Sequence, residues 1–320
     1  MRTAVVDIGT NSTRLLIADV APDGEVSEIV RRSVVTRLGA GVDAGGELSQ
    51  EGCARVYAAL AEFRTDIDAH RPGDGDDPYP NLAVLTSAVR EAHNGRAFAE
   101  HVRSEYGLDT RVLAGEAEAR MTFLGAMSGR PAHDDAQTAP APTVVIDIGG
   151  GSTEFIVGAG HTAGFHVSLP AGVVRMSERH IHSDPPSPAE LQSLAADVRS
   201  IFLAGLPAAE RAPVTRGIAV AGTATSAAAI DQELDPYDPA RVHGYTLLLA
   251  TVEMLLARLA DMDEAQRRTI AGLHPDRAPT IVAGMVLLSQ AMRAFALDEV
   301  EVSERDILYG GALSLAGITG

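Results

Sequence analysis

The chain opens with a pattern of apolar and polar positions that is typical of β-strands. Residues 1–20 and 25–35 are predicted to form strands, joined by the turn sequence Ala21-Pro22-Asp23-Gly24. Between Ser49 and about His70 the spacing of apolar residues changes to that of a helix. Its apolar side chains recur three or four positions apart, at Val56, Leu60, Phe63 and Ile67. The first part of the chain is therefore predicted to mix strands and helices.

The same patterns predict further elements along the chain. Short buried strands are expected at 82–85 and 217–221, and helices at about 94–107 and 115–127. Loops rich in proline and acidic or small residues are expected at 71–80 and 128–143, the second close to a domain crossover. Strands mixed with helical crossovers in both halves indicate an α/β fold.

The second half carries a clear helix start and a largely helical end. Ser187 is followed by Pro188 at the first helical position and Glu190 at the third, which is the pattern of a capping box. A last helix is predicted to be capped by Ser303. Before it, helices are predicted at about 245–260, 263–272 and 278–297.

One short phrase occurs twice in the chain, 140 residues apart. Thr3–Ile17 and Thr143–Val157 are identical at seven of fifteen positions. Each copy combines an apolar run, an aspartate, a turn of small residues and a second apolar run, which predicts a strand–turn–strand unit. Such a turn presents several N–H groups to one anion, while the aspartate holds a cation beside it. We expect two related halves whose turns face a common cleft and bind a phosphate chain with a divalent metal.

The second turn is the stronger candidate for a ligand site. Three consecutive glycines let the backbone approach an oxyanion closely, namely Gly149, Gly150 and Gly151. Ser152 and Thr153 are further candidates for donating hydrogen bonds to a substrate. Asp147 and Glu154 flank the turn and are candidates for holding Mg²⁺ or orienting a water, whereas a packed hairpin without a ligand needs neither carboxylate.

The first turn has fewer glycines but more side-chain donors. Thr10, Asn11 and Ser12 are candidate substrate contacts, and Asp7 is a candidate metal ligand. Arg14 lies just beyond the turn. Its position in the following strand allows it either to reach a phosphate or to point outward, and the pattern does not choose between these.

Two more charged residues are candidates for the chemistry. Arg90 follows a predicted strand, and an arginine fork there suits bidentate phosphate contact, with a salt bridge to Glu91 as the competing explanation. Glu116 and Glu118 occupy the first turn of a helix, where the dipole favours the ionised carboxylate. By periodicity alone, Glu118 is better explained as an ordinary helix-start residue than as a catalytic one.

Other metal-site signals are weak. His180 and His182 lie near Asp184, but the Pro-rich loop that follows favours a solvated surface. The single Cys53 excludes an intramolecular disulfide and a multi-cysteine metal site, which fits a reducing compartment.

Composition narrows the function further. The 320 residues suffice for two domains, and 46% hydrophobic with 22% charged residues is ordinary for a soluble protein. No apolar stretch reaches membrane-spanning length and no signal peptide is recognised, so cytoplasmic residence is expected. The net charge is −17 and the chain has no lysine, which excludes a P-loop and Schiff-base chemistry. Such acidity argues against nucleic-acid and membrane-surface binding. An anionic ligand must therefore bind at a local site built from arginines, backbone amides and bound metal.

Several phrases together resemble the exopolyphosphatase/guanosine pentaphosphate phosphohydrolase family, within the actin, Hsp70 and sugar-kinase superfamily. Most specific are Thr86-Ser-Ala-Val-Arg-Glu-Ala92 and Asp147-Ile-Gly-Gly-Gly-Ser-Thr-Glu154. The others are Asp7–Leu16, Arg37–Gly39, Gly115–Arg120, Gly172–Met176, Ala221–Thr225, Asp276–Ala278, Ile281–Gly284 and Ser303–Gly311. The resemblance covers nearly the whole chain.

The resemblance implies two ribonuclease-H-like domains that flank a deep cleft. It implies a discontinuous first domain, residues 1–125 with 301–320, since the last helix folds back onto it, and a second domain at 126–300. It also implies that Glu118 is the catalytic glutamate, although the family's Gly-x-Glu-Glu-Ala-Arg motif has Ala117 at its first glutamate here. The chain looks like the short form of the family.

The activity implied is that of an exopolyphosphatase that hydrolyses the terminal phosphoanhydride and favours shorter chains. Glu118, with Glu154 and Asp147, would activate the water. Mg²⁺ or Mn²⁺ at Asp7, Asp147 or Glu154 would offset charge, with a monovalent cation as an additional candidate, and a homodimer is expected. The alternatives are guanosine pentaphosphate (pppGpp) hydrolysis, an ATP-binding kinase or ATPase in which Gly222-Thr223 borders the adenosine, and a phosphate-ligand sensor without hydrolysis.

Overall fold

The structure is a computed structural model that describes residues 1–72, 79–130 and 141–318. The chain divides into two compact units, unit 1 (Met1–Arg130 with Asp306–Gly320) and unit 2 (Pro131–Arg305). These divisions lie five residues beyond the predicted ones at 125/126 and 300/301. The predicted loops at 71–80 and 128–143 fall largely on 73–78 and 131–140, outside the described residues.

Unit 1 is built on a mixed sheet of five strands. The strands are β1 (Arg2–Ile8), β2 (Ser12–Val20), β3 (Val26–Val35), β4 (Asn81–Leu85) and β5 (Thr110–Val112), in the order β3-β2-β1-β4-β5. β1, β2 and β3 form an antiparallel meander, whereas β1, β4 and β5 run parallel. Because the carboxyl ends of parallel strands meet at one edge of a sheet, the segments that follow β1, β4 and β5 lie close together.

Helices cover both faces of this sheet. They are α1 (Val42–Gly45), α2 (Gln50–Ala69), α3 (Ser87–Glu91), α4 (Gly95–Tyr106), α5 (Gly115–Met127) and, from the end of the chain, α14 (Ile307–Leu315). The α2 face buries Phe63 and Ile67 against alternate strand residues, and the α14 face buries Leu308 and Leu313 against the others. α14 also crosses α5 very closely, since a Cβ on Gly310 would lie 1.8 Å from the Met121 carbonyl oxygen.

Unit 2 contains a six-stranded sheet. Its strands are β6 (Thr143–Ile148), β7 (Thr153–Ala159), β8 (Thr162–Leu169), β9 (Arg216–Val220), β10 (Thr246–Leu248) and β11 (Glu299–Val302), in the order β10-β11-β9-β6-β7-β8. β6 pairs antiparallel with β7 and parallel with β9, which repeats the arrangement of β1 with β2 and β4. The predicted repeat of a strand–turn–strand unit is therefore confirmed in both sheets.

The helices of unit 2 enclose its core. They are α6 (Val173–His180), α7 (Pro188–Gly205), α8 (Ala208–Arg211), α9 (Ala221–Asp231), α10 (Pro239–Val242), α11 (Leu249–Ala260), α12 (Glu264–Arg267), the 3-10 turn Pro275–Arg277 and α13 (Ile281–Ala294). α13 is buried along almost its whole length. The predicted capping box at Ser187 and Glu190 is present at the start of α7.

The predicted, mostly helical end differs from the structure at four points. Thr246–Leu248 and Glu299–Val302 are strands that pair with each other. For segments this short, the presence of a partner strand determines the secondary structure more than the local sequence pattern does. The helix predicted at 263–272 is only the single turn α12. The last helix is capped by Asp306, whose side chain accepts from the Leu308 N–H, and Ser303 lies before it. None of the helices in the described ranges has the length and hydropathy to cross a bilayer.

Candidate active site

In the first turn, residues 9–12 between β1 and β2, the carbonyl groups of Thr10 and Asn11 point toward the segment 36–39. Gly39 donates its N–H to the Thr10 carbonyl at 2.8 Å, and Thr36 and Arg37 donate theirs to the Asn11 carbonyl at 3.0 and 2.9 Å. In a trans peptide the C=O and the next N–H point in opposite directions. The N–H groups of Asn11 and Ser12 therefore point away from the 36–39 segment, as an anion-binding turn requires.

The second turn, residues 149–152, repeats this arrangement with different partners. The first N–H groups of α6 serve as the donors: Val173 donates to the Gly149 carbonyl at 2.9 Å and Val174 to the Gly150 carbonyl at 2.8 Å. Arg175 Nε donates to the Gly151 carbonyl at 2.8 Å. By the same trans geometry, three successive N–H groups, those of Gly150, Gly151 and Ser152, point away from α6. Within the described ranges, Gly150 and Gly151 donate these N–H groups to no protein acceptor.

Gly172, at the start of α6, allows that helix to approach the turn. A Cβ at this position would lie 2.4 Å from the Gly150 carbonyl carbon and oxygen and 2.5 Å from the Gly151 nitrogen. Gly172→Ala should therefore displace the second turn and lower the melting temperature, with an overpacking cost of about 1–3 kcal/mol. Gly45→Ala is the matched control, because nothing lies within 4 Å of its Cβ position. Wild-type melting in Gly172→Ala would contradict this role.

Arg90 and Glu118 meet at the carboxyl edge of the unit 1 sheet. Arg90 lies in α3, just after β4, and Glu118 in the first turn of α5, just after β5. Arg90 Nη1 donates to Glu118 Oε2 at 2.9 Å and to the Leu113 carbonyl at 2.8 Å. The first turn is tied to the same place, because Thr10 Oγ1 and Ser87 Oγ share a hydrogen bond of 2.8 Å. Thus the structure brings the predicted anion ligands and the predicted carboxylate base of unit 1 together.

A buried ion-pair network lies behind the first turn. Arg14 stands directly opposite Asp7 in the β1–β2 register and donates from Nε and Nη2 to Asp7 Oδ2, at 2.9 and 2.6 Å. Its Nη1 donates to Asp306, at the start of α14. Burial raises the pKa of Asp7, and the Arg14 charge opposes that rise. Arg14 thus neither reaches freely for a ligand nor points outward, and it joins the repeated hairpin to the returning helix.

Asp147 and Glu154 form the corresponding pair in unit 2. They lie directly opposite each other in the β6–β7 register, so their side chains share one face of the hairpin. Both are almost fully buried. Glu154 Oε1 accepts hydrogen bonds from Ser152 Oγ at 2.6 Å and from Ser168 Oγ at 2.7 Å. This position opposite the aspartate is an arginine in unit 1 and a glutamate in unit 2, so the unit 2 hairpin pairs two carboxylates where the unit 1 hairpin pairs opposite charges.

Several predicted side-chain donors are used inside the protein. The Thr153 hydroxyl is fully buried and donates to the Ala171 carbonyl, so its one proton is not available to a substrate. Ser152 donates to Glu154. Both hydroxyls thus stabilise the turn, while the backbone N–H of Ser152 points away from α6, and the side-chain contacts of these residues with a substrate stay predictions. Asn11 differs: its Oδ1 is buried without a hydrogen-bond partner among the described residues, a polar atom suited to a ligand.

A divalent metal fits unit 2 better than unit 1. The Arg14 guanidinium bonds Asp7 Oδ2, and a second cation at that oxygen would be repelled, so we favour the unit 2 carboxylates, and a direct ligand role for Asp7 stays a prediction. Mg²⁺ commonly takes one or two protein carboxylates and keeps several waters, which the Asp147–Glu154 pair can satisfy. Across the described parts of the chain, no three His, Cys, Asp or Glu side chains cluster as a metal cage.

Two other predicted features lie elsewhere. His180 Nε2 bonds Asp197 at 2.9 Å with only 11% of its side chain exposed, so the solvated-surface interpretation is wrong for this residue, whereas His182 and Asp184 are exposed. Gly222, expected to border an adenosine in the kinase alternative, is covered by the Arg277 guanidinium, and a Cβ there would lie 1.3 Å from Nη1. The space beside Gly222 is therefore filled by protein.

Three site residues were missed from the sequence. Asp306 and Arg175 were named only within longer phrases, and Ser168 was not singled out. A local signal existed for the Arg14–Asp7 pair. If the two apolar runs of Thr3–Ile17 are paired as an antiparallel hairpin, Arg14 lies opposite Asp7. No local pattern connects Asp306 with Asp7, because they lie 299 positions apart in the sequence.

A family model described as the Ppx/GppA phosphatase family matches residues 16–314 of the chain. Among curated proteins, the chain is similar to exopolyphosphatase 2 of Mycobacterium tuberculosis, with 34% identity across 99% of both chains. It is also similar to exopolyphosphatase 1 of Mycobacterium bovis, with 29% identity over 94% of this chain and 84% of that protein.

Solved structures agree with these sequence matches. A Ppx/GppA family member from Aquifex aeolicus is 29% identical and superimposes with a TM-score of 0.79, covering 99% of this chain and 97% of that one. An exopolyphosphatase from Cytophaga hutchinsonii is 25% identical with a TM-score of 0.85, covering 100% and 99%. The mixed α/β fold with two sheets is thus shared along the whole chain.

Proposed function

The chain belongs to the Ppx/GppA phosphatase family, and on that premise we propose that it is an exopolyphosphatase. Such an enzyme hydrolyses the terminal phosphoanhydride bond of inorganic polyphosphate and releases orthophosphate. Support comes from exopolyphosphatases that are similar over their full length and from the shared fold. One observation carries the proposal: in unit 1 an anion-binding turn, an arginine and a buried glutamate converge on one sheet edge.

Each unit offers its own anion ligands. In unit 1 these are Arg90 and the outward N–H groups of Asn11 and Ser12, and in unit 2 the outward N–H groups of Gly150, Gly151 and Ser152. Arg90 uses Nη1 for its bonds to the Leu113 carbonyl and to Glu118. In the described part of the chain its Nε and Nη2 groups meet no protein acceptor, so they remain for a phosphate.

Glu118 is the proposed general base. Its carboxylate is nine-tenths buried yet held by a charged hydrogen bond, which fixes its orientation. It accepts a proton from the water that attacks the terminal phosphorus in line with the leaving phosphate. Because the transition state of phosphoryl transfer is loose, orienting the water and donating to the equatorial oxygens contribute most of the rate.

Mg²⁺ or Mn²⁺ belongs to the same proposal. Asp147 and Glu154 would hold the ion, which when bound neutralises part of the phosphate charge. Buried Glu154, kept in place by two serine hydroxyls, is better suited to this role than to moving a proton. A homodimer and a monovalent cation complete the proposal and rest on the family resemblance.

A side-by-side assay of orthophosphate release tests the proposal. Tripolyphosphate, long-chain polyphosphate, pppGpp and ATP are supplied at equal phosphoanhydride concentration. We expect release from both polyphosphates to exceed that from pppGpp and ATP. Faster release from pppGpp would favour the nucleotide alternative, and polyphosphate binding without any release would favour a sensor.

Chelation provides the metal arm of that assay. We expect EDTA to suppress release and either added Mg²⁺ or Mn²⁺ to restore it. Asp147→Asn should need a higher metal concentration for half-maximal release than wild type, whereas Asp109→Asn, on an exposed surface pair, should not. Full activity in EDTA would remove the metal from the proposal and leave the substrate assignment standing.

A further inference from the structure

A pocket of about 510 Å³ opens on the surface of unit 1, along one side of α4. Three arginines and a histidine line it against a single carboxylate: Arg90, His93, Arg96, Arg103 and Glu100. In a protein of net charge −17 this is a strong local excess of positive charge. A concave surface lined by charges of one sign concentrates ions of the opposite sign.

The cationic groups of the pocket are largely available. Arg96 and Glu100 approach only to 3.5 Å, with 91% and 64% of their side chains exposed, so this pair holds the arginine weakly. Among the described residues, Arg103 donates through Nη2 alone, to the Thr110 carbonyl at 2.6 Å. Because seven residues make nearly two full turns, Arg96 and Arg103 share one face of α4, about 10 Å apart along its axis. The pocket is therefore an elongated cationic groove.

Arg90 connects this groove with the candidate active site. Its Nη1 is bound to Glu118, and the same side chain forms part of the pocket wall. Arg90 is thus a neighbour of Glu118 and also part of the groove wall, so a polyanion bound by Arg90 has the other cations of the groove close by. Repeating phosphate groups match repeating guanidinium groups, since each fork accepts two phosphate oxygens.

We infer that this groove, Arg90–His93–Arg96–Arg103, is a subsite for internal phosphate groups of a polyphosphate chain, beyond the group that is cleaved. The inference rests on the proposed function and adds to it how the enzyme recognises chain length. Binding here stabilises the complex with long chains and contributes nothing to a substrate too short to reach it. The same phosphate chemistry occurs in nucleoside polyphosphates, which are the other source to be distinguished.

The test is Arg96→Ala, with Arg199→Ala on the exposed face of α7 as the matched arginine loss. KM is measured for tripolyphosphate, for long-chain polyphosphate and for pppGpp. We expect the ratio of KM values, long chain over tripolyphosphate, to rise about three- to tenfold in Arg96→Ala, as for loss of one charged contact, and to stay at the wild-type value in Arg199→Ala. In Arg96→Lys the ratio of KM values should lie between those of Arg96→Ala and wild type, because lysine keeps the positive charge.

Salt dependence gives a second readout. The slope of log KM against log salt concentration for the long chain should become shallower in Arg96→Ala, because one fewer phosphate is neutralised. An unchanged ratio together with an unchanged slope overturns the subsite, as does a rise in KM confined to pppGpp, which would mark a nucleotide site. If wild type releases no orthophosphate from any polyphosphate, the proposed function itself fails, and the two failures are therefore distinguishable.

Discussion

Replacing Glu118 by glutamine should lower orthophosphate release from polyphosphate by about 10²–10⁴-fold, the usual contribution of a general base. Glutamine keeps the shape and can still accept the hydrogen bond from Arg90, but it cannot take a proton from water. The anion ligands are untouched, so the dissociation constant for polyphosphate should stay close to that of wild type. Turnover and equilibrium binding of a labelled chain are the two measurements.

Glu116→Gln is the matched control for this substitution. Glu116 occupies the same first turn of α5 and experiences the same helix dipole, but its side chain is 57% exposed and pairs with Arg120, whereas that of Glu118 is 9% exposed. We expect wild-type turnover in Glu116→Gln. If Glu118→Gln turned over at the wild-type rate, Glu118 would have no part in the chemistry. Loss of binding together with turnover would instead make it a residue that positions Arg90.

Replacing Arg14 by leucine should destabilise the protein by about 3–5 kcal/mol, the cost of leaving a buried charge without its partner. Arg14 is shared by two carboxylates, and Asp7 and Asp306 are 4% and 2% exposed. Without the guanidinium, both carboxylates remain at the junction of β1 and α14 with no opposite charge between them. Urea unfolding at neutral pH measures the loss.

The destabilisation of Arg14→Leu should depend on pH with a defined sign. Burial already raises the pKa of Asp7, and removing Arg14 takes away the charge that opposes this rise. A carboxyl group whose pKa is higher in the folded state is tolerated at low pH, and its stability is lost as pH rises through the folded pKa. The variant should therefore lose more stability at pH 8 than at pH 5.

Arg2→Leu is the control, because Arg2 and Asp19 form the equivalent cross-strand pair at the other end of the same hairpin. That aspartate is half exposed, so the loss should be no more than about 1 kcal/mol. Equal losses in Arg14→Leu and Arg2→Leu, or a greater loss for Arg14→Leu at pH 5, would contradict the buried network.

The local elements were largely predictable from the sequence. The turns after Asp7 and Asp147, the helix from Ser49 and the capping box at Ser187 all depend on residues within a few positions of one another. Their signals are turn chemistry, apolar period and cap residues, which act before distant parts of the chain meet. The repeat itself indicated two sheets of the same construction.

The short elements near the chain end were not predictable in this way. β10 and β11 contain only three and four residues, and each is a strand because the other pairs with it. Asp306, and not Ser303, begins the last helix, since the residues after β11 first complete unit 2 before α14 returns to unit 1. Propensity over so few residues is weaker than the pairing that tertiary structure supplies.

The sequence by itself therefore determined which residue types were available: two glycine-containing turns with aspartates, an arginine after β4 and a glutamate at the start of α5. Only the tertiary structure decided their partners. Parallel pairing of β1, β4 and β5 brought Arg90 to Glu118, and the returning helix brought Asp306 to Arg14. The physical reason is that charge and hydrogen bonding act over a few ångströms in space, whereas these partners are separated by up to hundreds of residues along the chain.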